Sequence, residues 1–320
     1  MSFSREIEKA AAILHAGGLV AFPTETVYGL GADASNSGAV KKIFFAKGRP
    51  QDHPVIVHLP DSSHLERWAN EIPAAAGDLA GRFWPGPLTL ILRRASRVPD
   101  AVTGGQDTVG LRVPAHPLAR ALLQAFGGGI AAPSANRFGR LSPTTAEHVR
   151  AELGDRIDMV LDGGSCSVGI ESTIVDLSSE NPVLLRPGKI TAAEIEAVLK
   201  KTLHKPKDGG TRAPGMRAVH YAPQTPLLVT RNLQECVRNL CDENKRVAVL
   251  ACQSPPMTGL RVVWKAAPVE AGAYAQELYA NLRLLDQSGC ELIVVEEPPL
   301  DEEWEAVHDR LAKAESKDSF

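Results

Sequence analysis

The first hydrophobic pattern along the chain is helical. Between residues 5 and 16 the apolar side chains recur every three or four positions, and two glycines, Gly17 and Gly18, follow them. The stripe consists of Ile7, Ala10, Ala11 and Leu14. It predicts an amphipathic N-terminal helix that ends at the glycines and packs one face against a core.

Short runs rich in Val, Ile and Leu come next, and they predict the strands of a first domain. The predicted strands cover residues 19–22, 54–59, 88–92, 108–113, 130–133, 159–162, 173–177 and 183–186. Some of these runs alternate with helical patterns and others follow one another directly. That arrangement predicts a twisted, mixed sheet covered by helices rather than a purely parallel one.

Two helix starts and one strand face can be predicted from residue spacing. Thr144 with Glu147, and Thr191 with Glu194, have the spacing of reciprocal caps, which predicts helices at 145–153 and 192–201. In the run at 54–59, strand alternation separates His58 and its neighbour Ile56 from the other apolar side chains. The opposite face is predicted to hold Val55, Val57 and Leu59.

Residues 202–226 lose this periodicity and are rich in Pro and Gly, which is typical of a linker. Beyond the linker, strands are predicted at 227–230, 247–251, 262–264 and 292–296, with helices near 232–241, 272–287 and 301–314. The alternation predicts a smaller, Rossmann-like α/β domain with a largely parallel sheet. The predicted division is therefore a domain at 1–201, a linker or lid at 202–226, and a domain at 227–320.

Composition and charge narrow the function classes. The chain is 44% apolar and 23% charged, which is ordinary for a globular protein. Its net charge of −3 is spread over both predicted domains, and a surface that grips duplex phosphates needs an excess of cations. The five cysteines have no zinc-site spacing, so we expect reduced thiols and no protein metal site. With no membrane-length apolar run and no signal segment, we expect a cytoplasmic protein.

Candidate chemistry is concentrated in loops that follow the predicted strands of the first domain, where α/β proteins place their sites. Each of these loops combines Gly or Pro with a hydroxyl, a cation or an imidazole. They lie at residues 22–31, 47–53, 108–114, 132–142, 169–173 and 185–188. Six such loops predict a large polar cavity.

Four basic residues in or next to these loops have both a structural and a functional interpretation. Lys47 and Arg49 either complement the end of a helix or clamp a phosphate. His58 is by itself no more than a buried structural histidine. Arg112 lies inside an apolar strand, so we expect a carboxylate beside it, supplied by the protein or by a ligand. Phosphate-loop, nucleophile-elbow and HExxH motifs are missing, which favours chemistry by positioning and charge neutralisation.

Taken together, the motifs resemble the threonylcarbamoyl-AMP synthase family in its long form, which joins a YrdC-like domain to a C-terminal domain. The matching segments are PTETVYGLG, KGRP, FWPGPLT at 83–89, VGLRVP, APSAN, ESTIVD, LRPG and, in the linker, APGMRAVHYAP. They span most of the first 190 residues and the linker in family order. The resemblance implies a twisted sheet around a large, positively lined cavity.

The resemblance also implies a reaction and a set of site residues. Threonine and bicarbonate would form N-carboxy-threonine, which attacks the α-phosphate of ATP to give threonylcarbamoyl-AMP for t6A modification of tRNA at position 37. Lys47 and Arg49 would be catalytic. ATP would be bound by Arg49, His53, Thr108, Ser134, Asn136, Ser142, Arg186, His220 and Tyr221, with the last two closing as a lid. L-threonine would be bound by Thr26, His58, Arg112, Ala132 and Ser172.

Cofactors and partners follow from the same resemblance. ATP would arrive with Mg²⁺ held by phosphate oxygens and water, and bicarbonate would be a substrate. We expect weak or no direct tRNA binding, and a handover of the labile product to the tRNA threonylcarbamoyl transferase complex. Two rivals stay open at this point: a double-stranded RNA or tRNA binding module without catalysis, and a carbamoyl-transferring maturation enzyme that shares the first domain.

Overall fold

The computed structural model describes residues 2–207, 209–216, 220–253 and 262–316. The helices are α1 Ser2–His15, α2 Ser37–Lys47, α3 Leu65–Trp68, α4 Ala74–Phe83, α5 Asp100–Thr103, α6 Pro117–Phe126, α7 Ala146–Leu153, α8 Ala192–Leu199, α9 Leu233–Asp242, α10 Ala271–Asp286 and α11 Glu305–Ala314. The strands are β1 Val20–Phe22, β2 Gly29–Asp33, β3 Ile56–His58, β4 Leu88–Arg93, β5 Thr108–Arg112, β6 Ile130–Ala131, β7 Met159–Val160, β8 Thr173–Asp176, β9 Val183–Arg186, β10 Leu227–Thr230, β11 Val247–Ala251, β12 Val262–Ala266 and β13 Leu292–Glu296.

The chain forms two compact units. The first contains residues 1–138, 143–167 and 171–216, and the second contains 139–142, 168–170 and 217–320. The predicted boundaries at 201 and 226 stay a prediction. In the parts of the chain that the structure describes, no helix is long and apolar enough to cross a membrane.

Within the described residues, the first unit has a nine-stranded sheet in the order β7-β1-β2-β6-β3-β5-β4-β8-β9. Its pairs are mixed: β3 runs parallel to β5 and β4 parallel to β8, whereas β4 and β5 are antiparallel. The predicted mixed sheet is therefore confirmed. In β3, Val57 belongs to the main core cluster and Ile56 to a separate one, which matches the predicted alternation of faces.

The helix ends follow the predicted residue chemistry with one exception. Thr191 and Glu194 form the predicted reciprocal cap of α8. The prediction for α7 is wrong by one residue, because Thr145 caps the helix by accepting a hydrogen bond from the backbone N–H of His148. Thr144 is instead buried beneath the helix start. Two consecutive threonines offer the same cap chemistry, and burial selects between them.

Strand β2 was not among the predicted strands, because its sequence Gly-Leu-Gly-Ala-Asp has little β-propensity. Pairing on both sides forms it: Gly31 opposes Val20 of β1, and Ala32 opposes Ala131 of β6. The Cβ of any larger residue at position 31 would lie 2.8 Å from side-chain carbons of Phe22 and Ile130. Tertiary contacts therefore specify this strand and its glycine.

The second unit contains a four-stranded sheet in the order β10-β13-β11-β12, again counting only the described residues, and all of its pairs are parallel. This confirms the predicted parallel α/β domain. The predicted bounds of β10, β11 and β13 match the observed ones. Buried parallel strands read as continuous apolar runs bounded by helices, which makes them easy to delimit.

Candidate active site

The guanidinium of Arg112, at the end of β5, is buried and held on three sides. Its Nε donates to the carbonyl oxygen of Gly86 at 3.2 Å, and its Nη1 donates to Oγ1 of Thr26 at 2.9 Å. Its Nη2 lies 2.7 Å from Oε1 of Glu25, whose side chain is also buried. The carboxylate expected beside Arg112 is thus supplied by the protein.

Glu25 is a site residue that the sequence reasoning missed. Its Oε2 accepts a hydrogen bond from the backbone N–H of Ala115 at 3.0 Å, so the carboxylate bridges Arg112 and the chain just beyond β5. The only sequence signal was indirect: a cation inside an apolar strand requires an anion. That signal does not say which acidic residue of the chain supplies it.

A hydroxyl chain fixes Thr26 in the loop before β2. Oγ1 of Thr24 donates to the carbonyl oxygen of Val27 at 2.6 Å and lies 2.8 Å from Oγ1 of Thr26. The backbone N–H groups of Thr26 and Val27 both donate to Oγ1 of Thr24 at 3.2 Å. The hydroxyl of Thr24 therefore stabilises this turn through its hydrogen bonds, and the turn positions Thr26 next to Arg112.

His58 lies beside Arg112, because the parallel register of β3 and β5 pairs the two residues. Burial, followed by the charge of Arg112, lowers the pKa of His58 from 6.5 to about 3. The imidazole is therefore neutral near pH 7. Its Nδ1 is buried and has no hydrogen-bond partner among the residues that the structure describes.

The FWPGPLT run connects Arg112 to Ser172. Gly86 accepts from Arg112 and donates its own N–H to the carbonyl oxygen of Val113 at 2.8 Å. Only glycine fits there, since an added Cβ would lie 2.2 Å from the carbonyl oxygen of Phe83. Three residues further along, Oγ1 of the buried Thr89 lies 2.8 Å from Oγ of Ser172. The motif resemblance includes this run but implies no site residue within it.

Arg186 and Ser172, predicted to serve different substrates, are in direct contact. Nε of Arg186 donates to the carbonyl oxygen of Ser172 at 3.0 Å, and its Nη2 donates to Oγ of Ser172 at 3.1 Å. Nη1 of Arg186 donates to the carbonyl oxygen of Pro214 at 3.0 Å. A residue predicted to bind the nucleotide and a residue predicted to bind the substrate threonine are therefore in contact in the first unit.

Lys47 ends α2, and its ammonium is buried against backbone oxygens. Nζ donates to the carbonyl oxygens of Ser134 at 2.6 Å and Asn136 at 2.5 Å, with Oδ1 of Asn136 at 3.4 Å. The Lys-x-Arg and Ser-x-Asn motifs are thus joined through this amine. Burial, and then the charge of Arg49, hold the pKa of Lys47 well below its ordinary value, while Glu152 raises it by less.

Arg49 and His53 share one aromatic neighbour, Phe138, which the sequence reasoning also missed. The guanidinium carbon of Arg49 lies 5.8 Å from the ring centroid of Phe138, and the His53 ring meets the same ring edge-on at 5.5 Å. The backbone N–H of Phe138 donates to the carbonyl oxygen of Lys47 at 2.9 Å. Phe138 therefore contacts Lys47, Arg49 and His53, in and just after the KGRP loop.

The two remaining predicted residues of the first unit are Thr108 and Ala132. Thr108 begins β5 whereas Arg112 ends it, so the two are about 13 Å apart at the rise of an extended strand. Nη2 of Arg49 donates to the carbonyl oxygen of Pro54 at 3.0 Å, near the level of Thr108. Ala132 follows β6, and its backbone N–H donates to Ile56 at 2.9 Å.

Ser142, His220 and Tyr221 belong to the second unit. The backbone N–H of His220 donates to the carbonyl oxygen of Lys313 on α11 at 3.0 Å, and the ring of Tyr221 lies 5.3 Å from the guanidinium carbon of Arg310. Both side chains are buried, and the backbone of Tyr221 is left-handed with a φ of 61°. The predicted lid role of this pair, and the nucleotide role of Ser142, stay predictions.

The described ranges show no cluster of metal-ligating side chains, and the thiol of Cys166 is buried. No group of three or more His, Cys, Asp or Glu side chains within them could hold a metal ion. Burial raises the pKa of Cys166 to about 12, so its thiol does not ionise near pH 7. A cavity of about 280 Å³ lies elsewhere in the first unit, lined in part by Val183, Leu185 and His204. The predicted nucleotide cavity stays a prediction.

Two family models match consecutive parts of the chain. The model described as "Telomere recombination" (Sua5_yciO_yrdC) matches residues 12–188, and the model described as "Threonylcarbamoyl-AMP synthase, C-terminal domain" matches residues 190–316. The first covers more than half of the chain, and the second covers nearly all of the rest. The order of the two models is that expected from the motif resemblance.

Relatives from an archaeon and a bacterium match at full length. Threonylcarbamoyl-AMP synthase of Pyrococcus abyssi is 42% identical over 97% of this chain and 94% of its own. The Bacillus subtilis protein of that name is 43% identical over 97% of this chain and 92% of its own. The crystal structure of P. abyssi Sua5 complexed with L-threonine is similar with a TM-score of 0.89 and 42% identity, covering 96% of this chain and 93% of that one. This chain belongs to the threonylcarbamoyl-AMP synthase family.

Proposed function

We propose that this chain is an L-threonylcarbamoyladenylate synthase, a nucleotidyltransferase that makes threonylcarbamoyl-AMP from L-threonine, bicarbonate and MgATP for the t6A modification of tRNA at position 37. The observation that carries the proposal is the contact of Arg186 with Ser172. This contact joins a residue predicted to bind ATP to one predicted to bind threonine. Family membership supports the same reaction, since the full-length relatives bear that name.

The reaction needs two bonds to form. The ammonium of threonine first releases one proton to solvent. The lone pair of the resulting amine bonds to the carbon of bicarbonate, and the hydroxyl of bicarbonate leaves as water with one amine proton, which gives N-carboxy-threonine. An oxygen of this new carboxylate then bonds to the α-phosphorus of ATP, while the bond from that phosphorus to the bridging oxygen breaks. Pyrophosphate departs with the electron pair. Such an exchange requires alignment and charge neutralisation rather than a protein nucleophile.

The amino-acid half of the site consists, in this proposal, of Thr26, His58, Arg112, Ala132 and Ser172. Arg112 supplies a planar donor fork of the kind that binds a carboxylate. Three contacts fix the orientation of that fork, so little freedom is lost on binding. Neutral His58 adds an imidazole without adding charge.

The phosphate half consists of Lys47, Arg49, Ser134 and Asn136, with His53, Thr108 and Arg186 around the nucleotide. The buried ammonium of Lys47 is surrounded by carbonyl dipoles, and a triphosphate would supply the anionic charge that these dipoles only partly replace. Mg²⁺ would arrive with ATP, held by phosphate oxygens and water. We carry Ser142, His220 and Tyr221 into the nucleotide assignment from the resemblance alone.

The product would pass to the tRNA threonylcarbamoyl transferase complex, because a mixed anhydride of this type hydrolyses in water. We propose weak or no direct tRNA binding by this chain. Its net charge of −3 does not favour tight binding to a polyanion. A non-catalytic RNA-binding module, the rival function, would instead show tight and strongly salt-dependent RNA binding.

The decisive experiment measures pyrophosphate release from MgATP with each amino acid in turn, with and without bicarbonate. We expect release to require both L-threonine and bicarbonate, and labelled bicarbonate carbon to appear in an adenylate. Release that is independent of bicarbonate would indicate a different adenylation. Release with no amino acid would identify a simple nucleotidase and end the proposal.

A further inference from the structure

Three polar atoms in the Arg112 cluster are buried and lack hydrogen-bond partners among the residues that the structure describes. They are Oε1 of Glu25, Nη2 of Arg112 and Nδ1 of His58. The first two lie 2.7 Å apart as an ion pair, but their orientation does not make a hydrogen bond. Buried polar atoms are rarely left unsatisfied, so this cluster is built for a polar ligand.

The hydrogen-bond acceptors of the cluster also limit which ligands it can bind. Because Oγ1 of Thr24 donates its one hydrogen to Val27, the hydroxyl hydrogen of Thr26 must point to Thr24. Oγ1 of Thr26 also accepts from Arg112. Oγ1 of Thr26 can accept a hydrogen bond from a ligand, as can Oε1 of Glu25 in the preceding residue. Two adjacent acceptors fit a ligand that donates several N–H groups.

The charges of the cluster already balance without a ligand. Arg112 and Glu25 carry opposite charges, and the pKa of about 3 keeps His58 neutral. A ligand with a carboxylate alone would add an uncompensated charge to a buried pair, which is costly. A zwitterion adds none, and its carboxylate and ammonium match Arg112 and Glu25 respectively.

We propose that Glu25 recognises the α-ammonium group of the amino-acid substrate and so restricts the site to zwitterions. Arg112 binds the carboxylate end, and Oε1 of Glu25 with Oγ1 of Thr26 accepts hydrogen bonds from the ammonium end. This inference rests on the proposed function for the identity of the substrate as an amino acid. It adds a specificity-determining residue that the motif resemblance does not assign.

The test compares the affinity of the full chain for L-threonine and for 3-hydroxybutyrate, which is threonine without its α-amino group, by titration calorimetry. In the unaltered protein we expect a strong preference for threonine. In Glu25→Gln, which keeps an oxygen for the backbone N–H of Ala115, this preference should fall by on the order of tenfold or more, the effect of one charged hydrogen bond. Asp176→Asn, another buried carboxylate of the first unit, should leave the preference unchanged.

The affinity ratio separates recognition from structural support. A purely structural Glu25 would weaken both ligands equally in Glu25→Gln, and an unchanged ratio would overturn the proposal. If Glu25→Gln does not fold, Glu25→Asp keeps the negative charge beside Arg112 but draws the carboxylate back from the ligand, and its preference for threonine should fall; an unchanged preference would again overturn the proposal. Calorimetry needs no turnover, so failure of pyrophosphate release in the unaltered protein would contradict the proposed function without deciding this inference.

Discussion

Two of the cations buried in the first unit, Arg112 and Lys47, are held in different ways. Arg112 is paired with a carboxylate, because Nη2 lies 2.7 Å from Oε1 of Glu25. Lys47 is surrounded by neutral oxygens, with the carbonyls of Ser134 and Asn136 at 2.6 and 2.5 Å. Burial, and then the charge of Arg49, hold the pKa of Lys47 well below its ordinary value.

This difference indicates which net charge a ligand of each cation should have. A cation already balanced by a carboxylate suits a ligand that is neutral overall, such as an amino-acid zwitterion. A cation held only by dipoles is electrostatically incomplete and suits a ligand with excess negative charge, such as a triphosphate. The comparison predicts that substitutions at the two cations affect folding and catalysis in opposite proportions.

The largest expected effect is that of Arg112→Ala on folding. Removing the guanidinium leaves Glu25 buried and unpaired, so the free energy of unfolding should fall by about 3–5 kcal/mol. In the protein that remains folded, threonine affinity should weaken by about 2–5 kcal/mol. Urea unfolding and threonine titration measure the two quantities. Arg150→Ala, which breaks an exposed ion pair with Asp162, should cost less than about 1 kcal/mol. Equal losses in both variants would contradict the role of the buried pair.

Lys47→Met should lower catalysis strongly and the free energy of unfolding only slightly, the reverse of Arg112→Ala. We expect kcat to fall on the order of 10²–10³-fold, the usual cost of removing one preorganised charge donor. The free energy of unfolding should change by less than about 1 kcal/mol, since relief of a desolvated ammonium offsets the loss of donors to two carbonyls. Lys42→Met on the same helix, whose amine contacts Gly17, should leave kcat unchanged. A Lys47→Met protein whose free energy of unfolding falls by several kcal/mol while its kcat stays unchanged would contradict the comparison.

A smaller effect concerns His58, which lies between Arg112 and the core. Its pKa is about 3 in the folded chain and about 6.5 when unfolded, so the unfolded state binds the proton first as pH falls. Folding stability from this group is complete above about pH 6.5 and decreases towards pH 3. Between pH 7 and 5 the unaltered protein should lose roughly 2 kcal/mol more than His58→Gln does. Urea titrations at the two pH values measure these free energies, and equal losses in the two proteins would mean that His58 has the same pKa in the folded and unfolded states.

Most of the strands, and the residue types of the candidate site, could be predicted from sequence because both have local signals. Apolar runs delimited β10, β11 and β13 to the residue, and motif chemistry singled out Arg112 and Lys47. What binds those cations could not be predicted. Glu25 is 87 positions from Arg112 in the chain, and many acidic residues compete for that role. The partners of Lys47 are backbone carbonyls, which leave no residue signature at all.

The smallest expected effect tests whether the end of α2 positions Lys47. Gly48 ends this helix with a left-handed φ of 64°, and Gly127 ends α6 in the same way with a φ of 70°. An added Cβ would meet nothing within 4 Å at either position, so Gly48→Ala and Gly127→Ala differ only in location. Each should lower the free energy of unfolding by about 1 kcal/mol, because alanine disfavours that conformation.

The two glycine variants should differ in ATP kinetics, since Gly48 separates Lys47 from Arg49 and Gly127 adjoins neither. We expect Gly48→Ala to raise the KM for ATP by roughly threefold, for a displacement that costs about 0.7 kcal/mol, and to leave the KM for threonine unchanged. Gly127→Ala should change neither constant. An equal rise in both KM values would mean that the KGRP loop and the Arg112 cluster move together, and the two halves of the site could then no longer be treated as separate charge environments.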